Sequence, residues 1–177
     1  MTTPPRELAD DPMFPWTLGL ETKPLDEPVV PEPVRAGEDG GCWACERDDS
    51  AYLWSDERWR VAAIDHVPLR GAVILESRAH VDSFADMPDD LAADLGRVTA
   101  RVERAILGIG DVGRVHVVRW GDGLAHFHQW FLPRPLGAMQ MRGQTLMFWI
   151  EALPTLDHAV RDEAHAAVAA ALGRTSA

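Results

Sequence analysis

"GLAHFHQWFLPRP", residues 123–135, sets His126, His128 and Trp130 at every second position. In an extended strand alternate side chains share a face. Two imidazoles and an indole then point one way, and Phe127, Gln129 and Phe131 the other. Pro133 and Pro135 close the run. Gly121 and Gly123 form a loop ahead of it, where a phosphate can come close to backbone N–H groups. The two histidines fit either a solvated sheet face or a reactive one. In the second case an imidazole nitrogen attacks phosphorus, giving a phospho- or nucleotidyl-histidine that water later resolves.

On both sides of this stretch the pattern predicts an α+β domain with an antiparallel sheet and helices on one side of it. "YLWSDERWRVAAID" reads as two short strands around a turn at residues 55–58, and "GAVILES" as a third. From Pro88, Leu91, Leu95, Val98, Val102 and Ile106 recur every three or four residues, the signature of one helix face. Asp89 and Asp90 suit its first turn, and Gly108 and Gly110 its end. "RVHVVRW" and "AHFHQWFLP" follow as strands, and "QTLMFWIEAL" as one more. Asp157 then caps a helix that runs through Leu172 and stops at Gly173.

Residues 1–40 form a separate N-terminal arm, with residues 41–177 as the folded domain. The arm carries eight of the thirteen prolines, which rules out a central strand or long helix. Phe14 and Trp16 mark a part of the arm that either docks on the domain or belongs to a disordered tail.

The net charge of −11 argues against long nucleic acid or an anionic membrane as the main partner, since both reward a basic surface. A small phosphate ligand needs only local donors and stays open. There is no apolar stretch of transmembrane length and no signal-peptide layout at the N-terminus, so a cytoplasmic location is expected.

The only two cysteines, Cys42 and Cys45, stand in "CWAC", a spacing that fits a metal site or a redox pair. Gly-Gly before the pair and the charged "ERDD" after it lack the strand-to-helix setting of redox pairs, which favours zinc. A structural zinc site takes four N or S ligands, and His80 and His126 are candidates for the remaining two. His116 is expected to be structural, His158 and His165 solvated on the last helix, and Arg119, Arg134 and Arg142 are possible phosphate contacts.

Taken together, "CWAC", "AIDHVPLRGAVILESRAHVDSF" and "HFHQWFLPR" resemble, in order and spacing, three motifs of the histidine-triad superfamily. The resemblance runs from about Cys42 to Arg134 and leaves out the arm and the last helix. It implies a histidine-triad-like antiparallel sheet with a helix across it, commonly paired as a homodimer. It further implies that His128 is the nucleophile toward the α-phosphorus of a nucleotide. Asp65 matches the acidic residue that binds the ribose hydroxyls. Cys42, Cys45, His80 and His126 match the zinc ligands of the galactose-1-phosphate uridylyltransferase branch. Gly123 and Trp130 are further candidate substrate-binding residues.

This chain departs from the superfamily pattern in three places. Trp130 stands where a third histidine belongs; the uridylyltransferase branch has glutamine there. Gln129 is a candidate substrate-binding residue, yet it comes one place early and the alternation turns it away. The loop after Asp65 is short and lacks Gly-His, and "WGDGLA" lacks Gly-Gln. The leading expectation is a zinc-stabilised nucleotidyl hydrolase or transferase. The alternatives are a nucleotide-binding protein with little catalysis, because of Trp130, and a zinc-structured interaction domain whose arm binds a partner.

Overall fold

The structure, a computed structural model, describes residues 12–16 and 24–173. Strands β1 (Trp54–Ser55) and β2 (Trp59–Ala63) form the expected hairpin. Asp56 closes its turn by accepting the backbone N–H groups of Arg58 and Trp59, both at 2.8 Å. Strand β3 (Val73–Ser77) begins after Gly71, which sits at φ +74°. A Cβ there would come within 2.3 Å of Ile109 Cδ1, so both conformation and space require glycine. Helix α2 (Asp89–Leu107) leads into β4 (Val112–Val118) and β5 (His128–Pro135). The sheet is antiparallel throughout, in the order β1-β2-β3-β5-β4.

Register fixes what each face carries. Val61 pairs with Leu75, and Val73 with Phe131, and these side chains meet Leu91, Leu95, Val98, Val102 and Ile106 of α2 in one core. Helix α4 (His158–Gly173) joins that core through Val168 and Leu172. Asp157 caps it as expected, accepting from the Ala159 N–H at 2.8 Å. On the opposite face His128 lies across from Glu76, and Trp130 across from Ile74.

Three expectations need correcting. "QTLMFWIEAL" is not a strand: residues Thr145–Ala152 form helix α3. Leu146 and Ile150, one helical turn apart, bury against Ile64, Val67, Leu69, Ala72 and Leu132. A short continuous apolar run has no period that separates a buried helix from a buried strand. As a consequence helices cover both faces, with α3 on the side opposite α2 and α4. His165 is not solvated: it is buried, with Nε2 3.0 Å from the Ala72 carbonyl.

The arm docks at two places, while residues 24–34 between them are exposed where they are described. Phe14 is buried edge-on to Phe148 at 4.9 Å, and the Trp149 indole donates to the Met13 carbonyl at 2.8 Å. Further along, the Ala125 N–H donates to the Ala36 carbonyl at 2.8 Å, tying residues 35–37 to the loop before β5. Residues 1–11 and 17–23 of the arm lie outside the described residues. Among the described residues no helix is long and apolar enough to cross a membrane.

Candidate functional site

Helix α1 (Trp43–Glu46) is a single turn with Cys42 as its N-cap. Its Cys45 N–H donates to the Cys42 carbonyl at 2.9 Å, which brings the two thiols to one side. The turn is held from beneath by Arg60, whose Nη1 donates to the Ala44 carbonyl at 2.9 Å. Facing it are His80, just past β3, and His126, just before β5. His126 therefore precedes the strand rather than sharing its pleat, a correction to the simple alternation. Its Nε2 is 2.7 Å from the Ser77 carbonyl. A carbonyl only accepts, so Nε2 carries the hydrogen and Nδ1 keeps its lone pair.

That Nδ1 lies 3.4 Å from Cys42 Sγ and 3.5 Å from Cys45 Sγ, and His80 Nδ1 is 3.4 Å from Cys45 Sγ. All four ligand atoms fall within 4.8 Å of one another. Zn–S of about 2.3 Å and Zn–N of about 2.05 Å at tetrahedral angles set an S···N edge of roughly 3.5 Å. The donor set and its spacing fit zinc. Burial lowers the His126 pKa and favours the neutral, ligating imidazole. Cys45 is exposed as a residue, yet desolvation at its sulfur and the adjacent Cys42 push the thiol up to about 11. A cation among these groups is what would keep both as thiolates.

Beside this cluster opens a cavity of about 480 Å³, floored by the part of the sheet face that α3 leaves open. His128, Trp130, Asp65 and Gly123 all line it, so four of the five sequence candidates for nucleophile and substrate contact come together. Gln129 does not. It points through the sheet to α2, where its Oε1 accepts from the Thr99 hydroxyl at 3.1 Å. This corrects its assignment to the substrate. The period of two across β5 makes the choice: His128 and Trp130 face the cavity, so Gln129 cannot.

His128 is buried, and its Nδ1 is 2.7 Å from the His126 carbonyl. By the same reasoning as for His126, Nδ1 carries the hydrogen, and Nε2 is the ring nitrogen free to meet a ligand. Trp130 is set edge-to-face between His66 at 5.9 Å and Trp120 at 5.6 Å. Its Nε1 is buried with no hydrogen-bond partner among the described residues, and an indole N–H does not ionise near neutral pH, so this residue supplies a ring and no acid. Asp65 sits at the cavity rim, its Oδ1 3.4 Å from Arg161 Nε of α4.

Several residues of this cavity escaped sequence reasoning, among them Trp43, Arg47 and Glu76. Trp43 and Arg47 come from α1 and its C-cap, and a charged loop after a Cys-x-x-Cys offers no signal for them. For Glu76 the signal was present: a carboxylate inside the apolar strand "GAVILES". The arginines considered earlier are engaged elsewhere. Arg119 donates to the Asp82 carbonyl, Arg134 to those of Pro135 and Ala138, and Arg142 to that of Met139.

No protein-family model and no curated protein matches the sequence. Solved structures match its fold. A Zn-bound histidine triad family protein from Mycobacterium smegmatis aligns with TM-score 0.57 and 19% identity over 75% of this chain and 93% of that one. A hypothetical histidine triad nucleotide-binding protein from Sulfolobus tokodaii strain 7 aligns with TM-score 0.55 and 11% identity, over 74% and 91%. A uridylyltransferase mutant aligns with TM-score 0.52 and 16% identity over 74% of this chain, which spans 46% of the uridylyltransferase. At such identities the likeness speaks for the fold, and the fold of this chain is the histidine triad fold.

Proposed function

We propose that this protein is a nucleotidyl hydrolase or transferase working in the cytoplasm on a small nucleotide. His128 Nε2 attacks the α-phosphorus, the leaving group departs, and water or an acceptor then releases the nucleotidyl group from the imidazole. One observation carries this reading: the His126 carbonyl holds His128 Nδ1–H, leaving Nε2 as the free nitrogen of a residue on the cavity wall. Asp65 receives the ribose hydroxyls, Gly123 leaves room for phosphate, and the Trp130 ring packs against a base or sugar. The superfamily resemblance of the three motifs and the fold match add support. A structural zinc held by Cys42, Cys45, His80 and His126 would tie α1 to the loop that positions His128.

Trp130 limits the chemistry. An imidazole at this place could protonate a leaving group, whereas an indole N–H does not ionise near neutral pH, and here it is also buried. Positioned acid catalysis is worth about 100- to 10,000-fold in rate. The substrate is therefore one whose leaving group is stable as an anion, a nucleoside polyphosphate or a nucleotide sugar, rather than a phosphoramidate. Trp130→His is expected to raise the rate on phosphoramidates by a factor in that range and to leave polyphosphates nearly unchanged. A wild type that already prefers phosphoramidates contradicts this reading. The same residue favours a second one, a nucleotide-binding protein with little turnover. It would be recognised by a nucleotide that raises the melting temperature without being consumed.

We further propose a homodimer. Strand β4 is an outer strand of the sheet, seven residues long, and an open edge of that length is commonly covered. Light scattering is expected to give twice the chain mass at micromolar concentration; a monomer mass there rejects the pairing.

A further inference from the structure

Glu76 sits in the middle of the sheet, in register with Arg60 on one side and His128 on the other. It is 1% exposed and lines the same cavity as His128. Among the described residues no cation pairs with it. Arg60 is turned to Asp49 and to the Ala44 carbonyl, and the Arg47 guanidinium lies over the Trp43 and Tyr52 rings. Among the described residues the one hydrogen bond to its carboxyl comes from the Tyr52 hydroxyl to Oε2, at 2.8 Å. The other oxygen is left for whatever enters the cavity.

An unpaired carboxylate in such a place is costly, and it would repel an anion arriving at His128. A neutral carboxyl has the opposite effect, because it has an O–H to give. Cross-strand neighbours hold their Cβ atoms about 4.5–5.5 Å apart, close enough for two side chains to address one phosphoryl group. We propose that Glu76 is a phosphate-binding acid, whose protonated carboxyl donates a hydrogen bond to a non-bridging oxygen of the phosphoryl group at His128. The inference rests on the reading that His128 meets the α-phosphate of a nucleotide, and it adds a specificity-determining group to that site.

The electrostatics agree with the geometry. Burial raises the Glu76 carboxyl above the ordinary carboxylate range, against the opposing pull of the Tyr52 hydroxyl, Arg47, His128 and Arg60. Asp65 and His66 line the same cavity, and with these four they are the titratable and charged groups around it among the described residues. A bound phosphate favours the protonated acid further. Phosphate affinity is therefore full at low pH and falls as pH rises through the Glu76 pKa, by up to tenfold per pH unit for one proton.

The test is binding of the 5′-phosphate methyl esters of adenosine, guanosine, cytidine and uridine, followed by calorimetry across pH. Their single phosphate charge does not titrate over the accessible range, and His128 is the same in every protein compared. Glu76→Gln keeps the size, the donor and the Tyr52 contact but has no proton to lose. It is expected to flatten the alkaline fall in affinity seen for wild type. Glu76→Leu, without a donor, is expected to bind on the order of tenfold or more weakly at low pH. A wild type with no alkaline fall, or a Glu76→Gln variant that follows the wild-type curve, overturns the proposal. If Glu76→Gln does not fold, Glu76→Leu takes its place: it too has no proton to lose, and its weaker binding is expected to show no alkaline fall, whereas a fall parallel to wild type overturns the proposal. Binding with a flat profile removes Glu76 and leaves the nucleotide reading standing, whereas no binding of any ester at any pH removes both.

Discussion

His128→Asn is expected to lose turnover by on the order of 10,000-fold or more, the scale seen when a covalent enzyme loses its nucleophile. Asparagine can still take the place of Nδ1–H with its amide, donating to the His126 carbonyl as the imbedded imidazole does at 2.7 Å. What it lacks is a nitrogen lone pair toward phosphorus, because an amide nitrogen is not nucleophilic. The melting temperature should therefore change little while the rate collapses. Nucleotide binding should also persist, since Asp65, Gly123 and Trp130 are untouched on the cavity wall. Steady-state kinetics beside a thermal melt separates these effects. Retained turnover in a folded His128→Asn protein would show that another group does the chemistry.

The second large effect concerns the Cys42, Cys45, His80 and His126 cluster. Structural zinc contributes about 10–16 kcal/mol of apparent binding free energy in small zinc-dependent folds. Whole domains are stable by only about 5–15 kcal/mol. Cys42→Ser is expected to lower the melting temperature by roughly 10 °C or more, as is a strong chelator, with added zinc reversing the second but not the first. The physical reason is local. Cys42 is buried at the start of a one-turn helix that is too short to persist on its own. Without the metal, α1 is no longer cross-linked to His80 and His126. Because the His126 carbonyl orients His128, loss of activity should accompany the loss of stability. Elemental analysis of protein purified without added metal checks the premise. A metal-free protein carrying a Cys42–Cys45 disulfide would restore the redox alternative.

Much of the fold was legible because its signals are periodic. The α2 stripe repeats over five buried positions, and β2, β3 and β5 each carry a run whose alternation decides which side chains reach the core. The hairpin was visible as two short strands around a turn at residues 55–58, which the Asp56 side chain closes in the structure. Residues 145–152 misled because eight apolar-rich residues show no clear period. Their helix is decided by tertiary contact of Leu146 and Ile150 with a sheet face that local sequence does not display. His165 misled for the same reason: its partner, the Ala72 carbonyl, is 93 residues away.

The site was half legible. His128 and the four residues of the Cys/His cluster came from spacing and from the motif resemblance, and the structure brings them to adjoining places. Gln129 could have been set aside by taking the strand's period at face value. Glu76 was hidden inside a run read for its apolar residues, although a carboxylate at the centre of such a run calls for a partner or a purpose. Arg47 gave no sign at all, since only the folded chain carries the end of α1 over to the cavity.

If nucleotidyl transfer passes through His128, the covalent intermediate can be trapped on it. Wild type is mixed with a nucleoside polyphosphate, quenched without acid, and mapped by peptide mass. The expected result is an acid-labile gain of one nucleoside monophosphate on the peptide that holds residues 121–135, localised to His128 and missing from His128→Asn. An adduct on His126, His66 or any other residue, or full turnover with the His128 imidazole never modified, would contradict it.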